Sequence, residues 1–217
     1  MASAVQAGPT PARRRNRRGE GDRLREEIIT AASQMIGEAD DDTALTLRGV
    51  ARRIGIAAPS IYRHFPDVDE LKMAVAQRTF AEFARARDAA SGDRDDPATR
   101  LLARCRAYTS FALANPGPYR YLFSQHAPTG KPGRPPVDLP VFQALAESIS
   151  RCQQAGLARA GDDPHWLAAQ VWAALHGLVL LRLNAPGFPW PGPLDQMADQ
   201  AVARLIGLDT PASTRPA

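Results

Sequence analysis

The sequence TLRGVARRIGIAAPSIYRHFPDVDEL occupies residues 46–71 and has the pattern of two short helices joined by a tight turn. Thr46 is a good N-cap for the first helix, because its hydroxyl can accept a hydrogen bond from a free N–H of the first turn. Gly55 supplies a left-handed residue that ends this helix, and Pro59 fits the first turn of the next, where its missing N–H loses no bond. The apolar face of the first helix comprises Leu47, Val50, Ala51 and Ile54. We therefore predict a helix-turn-helix.

The second helix of this motif has an inward and an outward face. Ile61 and Phe65 are four residues apart and are expected to pack inward together. The outward residues are Ser60, Arg63, His64 and part of Tyr62. Small groups at the start of the helix can approach base edges while larger donors reach phosphates, so this face suits the major groove of DNA. Ser60 can hydrogen-bond a base edge, and Ala58 or Pro59 can contact a thymine methyl group.

Several motifs in and around this helix pair resemble the N-terminal DNA-binding domain of the TetR family of transcriptional regulators. The matching elements, within residues 22–71, are Thr46-Leu47-Arg48, Val50-Ala51, Gly55-Ile56, Ser60-Ile61-Tyr62-Arg63-His64-Phe65 and Glu70-Leu71. Further on, NPGPYRYLF at residues 115–123 and WAALHG at residues 172–177 resemble the C-terminal regulatory domain of a subgroup named for a Trp-His-Gly signature. The resemblance implies a homodimer that binds an operator and a small effector.

The chain departs from the family pattern at two places. Family members often have Ser-Lys where this chain has Ala57-Ala58, and a lysine where it has Val68. We expect the arginines before the first helix, with Arg48 and Lys72, to supply part of the missing attraction to phosphates. If the chain is truncated before Glu20 and the operator affinity keeps the same salt dependence, the arginines before the first helix do not have this role. The predicted DNA-binding residues are Arg13, Arg14, Arg15, Arg17, Arg18, Thr46, Arg48, Ala58, Pro59, Ser60, Tyr62, Arg63, His64 and Lys72.

The positive charge of the chain is concentrated in one short segment. Residues 13–18 read RRRNRR and hold five of the 27 basic residues, so the other 22 face 23 acidic residues and net −1. The total charge of +4 and the pI of about 9.5 therefore reflect this segment. Such a cluster attracts polyanions by releasing counterions and can enter a minor groove. The alternative is a solvated tail that aids solubility.

The rest of the 217-residue chain shows helical periodicity, with apolar residues at steps of three and four and no competing strand pattern. Proline-poor windows span residues 22–58, 67–96, 98–115, 141–163, 165–185 and 194–210. We predict a mobile loop at the proline-rich break 128–140 and an ordered turn, carrying Phe188 and Trp190, at the break 186–193. The chain is therefore predicted to be all-α. Its expected parts are a disordered basic tail (1–20), a three-helix helix-turn-helix domain (21–66), a helical regulatory and dimerisation domain (67–208) and a disordered C-terminal tail (209–217).

Aromatic residues are concentrated in the second half, where ten of the fourteen lie beyond residue 100. This distribution can line an apolar pocket with few polar anchors, and it can equally be plain core. Because the resembling family binds its effector in this domain, we predict ligand contacts at Tyr108, Phe111, Phe123, Trp172 and His176. His176 can orient a carboxylate or hydroxyl of an effector, or it can be a hydrogen-bonded core residue.

Enzymatic and metal-binding functions find no support in the sequence. GxSxG, Walker and GxGxxG motifs are absent, HExxH spacing does not occur, and Cys105 and Cys152 form no CxxC pair. We therefore expect no catalytic residues, no metal and no cofactor, and a reducing cytoplasm as the location. The most apolar stretch, residues 172–183, is interrupted by His176 and Arg182, so no membrane-spanning helix is predicted.

These features together predict a sequence-specific DNA-binding regulator that acts as a repressor released from a palindromic operator by a small, largely apolar effector. A homodimer is expected through the last two helices, near residues 165–185 and 194–207, which are rich in alanine, leucine and valine. The helix from about Asp67 to Asp88 is expected to couple the two domains. Two other classes stay open: a ligand-independent DNA-binding regulator, and a small-molecule-binding protein without a transcriptional role.

Overall fold

A computed structural model describes residues 20–38, 45–92, 95–123, 139–185 and 187–208. Within these ranges all regular secondary structure is helical, which confirms the predicted all-α class. The helices are α1 (Glu20–Glu38), α2 (Leu47–Arg53), α3 (Ala58–Tyr62), α4 (Val68–Ser91), α5 (Pro97–Ala114), α6 (Pro116–Leu122), α7 (Leu139–Gln154), α8 (Pro164–Asn184) and α9 (Leu194–Ile206). The predicted terminal tails, with the arginines at 13–18, and most of the break 128–140 lie outside the described residues.

The predicted helix-turn-helix forms from its local signals. The backbone N–H of Gly49 donates to the Thr46 hydroxyl at 3.0 Å, which caps α2, and Gly55 takes a left-handed φ of 70° after its end. Val50 and Ile61 are fully buried and join α2 and α3 to the apolar face of α1. This N-terminal core therefore rests on side chains that the periodicity had placed inward.

Helix α4 runs through both halves of the molecule without a break. It begins after Asp67, whose carboxylate accepts a hydrogen bond from the Glu70 N–H at 2.8 Å, and it continues to Ser91, three residues beyond its predicted end. Its first half contributes Val75 to the N-terminal core, whereas Phe83 belongs to the C-terminal core. The N-terminal core thus extends past the predicted domain boundary at residue 66.

The C-terminal core is formed by α5, α7, α8 and α9 together with the second half of α4. Leu101, Ile149 and Val171 are fully buried at its centre. Helix α7 begins at Leu139, inside the predicted proline-rich break, because Pro140 occupies the first turn, where no helical hydrogen bond is lost.

The short helix α6 connects the two cores and was not among the predicted helical windows. Its Tyr119 belongs to the C-terminal core, and Tyr121 belongs to the N-terminal core. α6 lies so close to α1 that a Cβ atom on Gly117 would be 2.4 Å from the Cα of Gly37. Only glycine permits this approach between the two backbones.

Candidate functional site

Helix α3 and the residues after it form the candidate DNA-reading surface. Pro59 occupies the first turn as predicted, and fully buried Ile61 anchors the helix to the N-terminal core. The helix ends at Tyr62, and Phe65 follows with only 2% of its surface exposed. The predicted inward pair therefore holds α3 in place and leaves the opposite side uncovered.

Several of the side chains predicted to contact DNA are exposed on α3 or just after it. Tyr62 is 47% exposed, and the exposed Arg63 guanidinium donates a 3.3 Å hydrogen bond to the Ser60 hydroxyl. Pro59 and Arg48 are also exposed, whereas Ala58, Ser60, His64 and Lys72 are half-buried. The hydroxyl of Thr46 is already engaged as the cap of α2. Thus the exposed part of α3 and the residue after it combine an aromatic ring, Tyr62, with a cationic group, Arg63.

A second candidate site is a cleft in the C-terminal core between α4, α5, α7 and α8. Its cavity volume is about 40 Å³, smaller than most small-molecule sites, so the surrounding side chains nearly fill it in this arrangement. Its apolar walls include Phe83, Leu145 and Leu175. Of the five predicted ligand contacts, Tyr108 and Trp172 line this cleft.

A chain of hydrogen bonds runs from the cleft wall into the core. The Trp172 indole N–H donates to the Tyr108 hydroxyl at 3.2 Å, the Tyr108 and Tyr119 hydroxyls are 2.7 Å apart, and Tyr119 lies 2.6 Å from Nδ1 of His176. Burial lowers the pKa of His176 and raises the pKa of Tyr108 to about 12. Both His176 and Tyr108 are therefore neutral near pH 7, the tautomer of His176 sets the direction of its bond with Tyr119, and the chain of hydrogen bonds carries no charge.

The other three predicted ligand contacts surround the cleft without lining it. The ring of Phe123 is tilted against that of His176 at a centroid distance of 4.4 Å, and the ring centroids of Phe111 and Phe83 are 5.7 Å apart. These rings support the wall formed by Tyr108. Their ligand contact stays a prediction, because ring packing in this region supports both a core and a binding role.

Two arginines on the cleft wall were missed in the sequence. Arg87 on α4 and Arg104 on α5 both line it, although 17 residues separate them in the chain. No local pattern marks them, since arginines on amphipathic helices are ordinarily solvent-facing. Their convergence depends on how α4 and α5 pack together.

Helix α8 carries an apolar surface that the rest of the described chain leaves uncovered. Exposed residues recur at helical spacing along one side, namely Trp166, Ala169, Ala173, Gly177 and Leu181. Among the described residues α8 is also the one helix long and apolar enough to cross a membrane by length and composition, and 28% of its most apolar window is buried. The sequence had not predicted such a helix, because His176 and Arg182 interrupt its apolar run. We call the five exposed residues the α8 stripe.

Family comparisons match both halves of the chain. The family described as bacterial regulatory proteins, tetR family, matches residues 28–75, which contain α2 and α3. The tetracyclin repressor-like C-terminal domain matches residues 101–205, which contain most of α5 and all of α7 and α8, three of the four helices around the cleft. The finer Trp-His-Gly subgroup assignment stays a prediction.

Individual proteins and structures agree with these matches. The chain is 30% identical over 162 residues to an uncharacterized HTH-type transcriptional regulator of Mycobacterium tuberculosis, covering 74% of this chain and 70% of that protein. A protein of unknown function from Rhodococcus sp. RHA1 has a TM-score of 0.71 at 25% identity, covering 86% of this chain and 96% of that one.

Two further solved structures share the fold and were determined with ligands. AibR in complex with isovaleryl coenzyme A and operator DNA has a TM-score of 0.63 at 20% identity, covering 85% of this chain and 98% of AibR. RolR in complex with resorcinol has a TM-score of 0.64 at 19% identity, covering 89% of this chain and 92% of RolR. The family matches describe DNA-binding regulators and not enzymes. With its helix-turn-helix, its helical C-terminal core and these matches, the chain belongs to the TetR family of transcriptional regulators.

Proposed function

We propose that the protein is a homodimeric, cytoplasmic repressor that leaves its operator when a small, largely apolar effector occupies the cleft. Residues 21–66 read the DNA, and residues 67–208 bind the effector and the second subunit. The basic segment at 1–20 adds non-specific attraction to phosphates. The observation that carries this proposal is the continuity between the cleft wall and the N-terminal core through α4 and α6.

The path of coupling runs through two physical connections. Phe83 on α4 lines the cleft, while Val75 on the same helix lies in the N-terminal core. Tyr119 on α6 is bonded to the cleft residue Tyr108, while Tyr121 lies in the N-terminal core. An effector that binds better to a second arrangement of these helices lowers operator affinity by its differential binding energy, on the order of 1–3 kcal/mol.

The ligand-bound relatives support an effector without identifying it. AibR is described with isovaleryl coenzyme A and operator DNA, and RolR is described with resorcinol. The cleft of this chain has a volume of about 40 Å³ in this arrangement, so we expect the helices around it to separate when an effector binds. An effector that is largely apolar fits its lining of phenylalanine and leucine.

The first test is selection of bound fragments from random double-stranded DNA with the full chain. We expect a palindromic consensus, because a two-fold symmetric dimer presents one α3 to each half-site. Arg63→Ala and Tyr62→Ala are each expected to weaken binding to the selected site by about 1–3 kcal/mol, which is typical of a lost DNA contact. Arg85→Ala, an exposed arginine on α4, is the matched control. Fragments without symmetry, or equal effects of all three variants, would contradict the proposal.

The second test addresses the dimer through the α8 stripe. Ala173 lies at the centre of the stripe, and a Cβ on Gly177 would meet no atom within 4 Å, so nothing in the described chain occupies the space above it. In a two-fold interface Ala173→Asp places two carboxylates in an apolar contact. We expect a monomer in sedimentation and operator affinity lower by about two orders of magnitude, because a single half-site supplies few contacts.

Ala81→Asp, at an exposed alanine of α4, controls for the added charge. It is expected to leave both the sedimentation coefficient and the operator affinity unchanged. A dimeric Ala173→Asp protein with normal DNA binding would place the interface elsewhere.

A further inference from the structure

Two poorly hydrated arginines meet at the cleft. The side chains of Arg87 and Arg104 are only 14% and 19% exposed, and both line the cavity. Burial lowers the pKa of Arg104, and the positive charges of Arg87, Arg151 and Arg100 lower it further. A concentration of positive charge therefore lies beside an apolar cavity, where the attraction between a guanidinium group and an anion is stronger than in water.

Both arginines rely on one carboxylate for charge compensation. Asp88 Oδ1 accepts hydrogen bonds from Nη2 and Nε of Arg87, at 2.9 and 3.1 Å, and lies 3.6 Å from Nη2 of Arg104. The remaining bonds of Arg104 go to the neutral hydroxyls of Ser91 and Ser148, each at 2.7 Å. Within the part of the chain that the structure describes, the two guanidinium groups thus share a single carboxylate.

The shared carboxylate of Asp88 can be displaced from the two arginines by another anion. The side chain of Asp88 is 57% exposed, so it can turn into solvent and be hydrated there. Water competes with the two guanidinium groups for this exposed carboxylate and so weakens its ion pairs. Displacing Asp88 therefore costs little, whereas a ligand carboxylate at the same place also buries its attached apolar body in the cleft.

We propose that the effector is an amphipathic organic acid whose carboxylate binds Arg87 and Arg104 in place of Asp88, while its apolar body lies against Phe83, Leu145 and Leu175. This assignment rests on the proposed function and specifies its ligand class. The guanidinium fork matches a carboxylate geometrically and gives charge-assisted hydrogen bonds. A neutral amide of the same skeleton lacks that charge, and an amine is repelled.

The test compares acids with neutral isosteres on the full-length protein. The ligands are 4-phenylbutyrate with 4-phenylbutanamide, and octanoate with octanamide, titrated calorimetrically. For the pair that fits, we expect the acid to bind about tenfold or more tightly than its amide, because charge-assisted bonds are about twice as strong as neutral ones. Equal affinity of acid and amide in both pairs, or no binding by either acid, would overturn the assignment.

Variants separate the carboxylate site from general damage to the fold. Arg87→Gln is expected to lower affinity for the acid about tenfold and to leave the amide unchanged, since it removes a charge and not the apolar wall. Asp88→Asn keeps an oxygen that accepts from Arg87 but removes the competing charge, so it is expected to raise affinity for the acid several-fold. Arg85→Gln, on the outer side of α4, is the control and is expected to change neither.

Two outcomes with these variants count against the assignment: an equal loss for acid and amide in Arg87→Gln, and unaltered acid binding in Asp88→Asn. Operator release is measured separately. An acid that binds as described but leaves operator affinity unchanged supports the ligand class and argues against effector-controlled release. The failure of the ligand assignment and the failure of the proposed function are therefore distinguishable.

Discussion

Replacing Phe65 by alanine is expected to lower the free energy of unfolding by about 3–5 kcal/mol, the range for truncating a large buried aromatic side chain. Phe65 is 2% exposed, and it lies directly after the candidate DNA-reading helix in the N-terminal core. The guanidinium of Arg25 lies 5.1 Å from its ring centroid, so the truncation also removes a cation–π contact from α1. Urea denaturation followed by circular dichroism measures the change.

Tyr62→Ala is the matched control, because it truncates an aromatic ring three residues away that is 47% exposed. Its stability is expected to stay within about 0.5 kcal/mol of the parent chain, as is usual for surface positions. Operator affinity should fall in both variants, through partial unfolding in one and through a lost contact in the other. A Phe65→Ala protein as stable as Tyr62→Ala would mean that Phe65 does not anchor the motif.

Replacing Gly117 by alanine is expected to cost about 3 kcal/mol, near the upper end of the usual range for overpacking. The new Cβ would lie 2.4 Å from the Cα of Gly37 and 3.2 Å from its carbonyl carbon and oxygen. These are backbone atoms, so no side-chain rotation relieves the overlap, and α6 must separate from α1. That separation withdraws Tyr121 from the N-terminal core and Tyr119 from its bond to His176.

The measurement for Gly117→Ala is thermal unfolding, with Gly21→Ala as the control. Gly21 is also helical, but a Cβ there would meet no atom within 4 Å. The control is therefore expected to be neutral or stabilised by about 0.5–1 kcal/mol, the intrinsic helical gain of alanine over glycine. Equal unfolding temperatures for the two variants would show that α1 and α6 are not in the close contact described.

The helix-turn-helix was predictable because its signals are local. Thr46 caps a helix through a residue three positions away, Gly55 terminates it through its own φ angle, and Pro59 fits a first turn wherever that turn lies in the protein. None of these effects requires knowledge of a distant segment. The inward positions of Ile61 and Phe65 followed from helical periodicity for the same reason.

Helix α6 could not be predicted in this way. Pro116 and Pro118 follow the proline-poor window 98–115 and kept this segment out of the predicted helices. Both nevertheless fall in the first turn of α6, where backbone N–H groups have no helical partner. What holds this helix in place is its contact with α1 across Gly37 and Gly117. Such a contact joins segments 80 residues apart, and it produces no periodic pattern of apolar residues in either segment.

The cleft was predictable only in its general composition. The concentration of aromatic residues indicated either a pocket or a core, and both occur, since Tyr108 lines the cleft while Phe111 packs beside it. The charged part of the cleft had no sequence signal. Arg87 and Arg104 come together because α4 and α5 pack against each other, and the chain contains many arginines that do not converge.

The uninterrupted course of α4 has a mechanical consequence. A helix of 24 residues is about 36 Å long at 1.5 Å per residue. If its cleft end tilts by about 5°, its other end swings by about 3 Å, which is close to the rise of one base pair, and in a dimer the two swings add. A ligand that displaces the cleft walls by less than the width of an atom can thereby change the distance between the two α3 helices of a dimer, so that they no longer match the spacing of successive turns of the double helix.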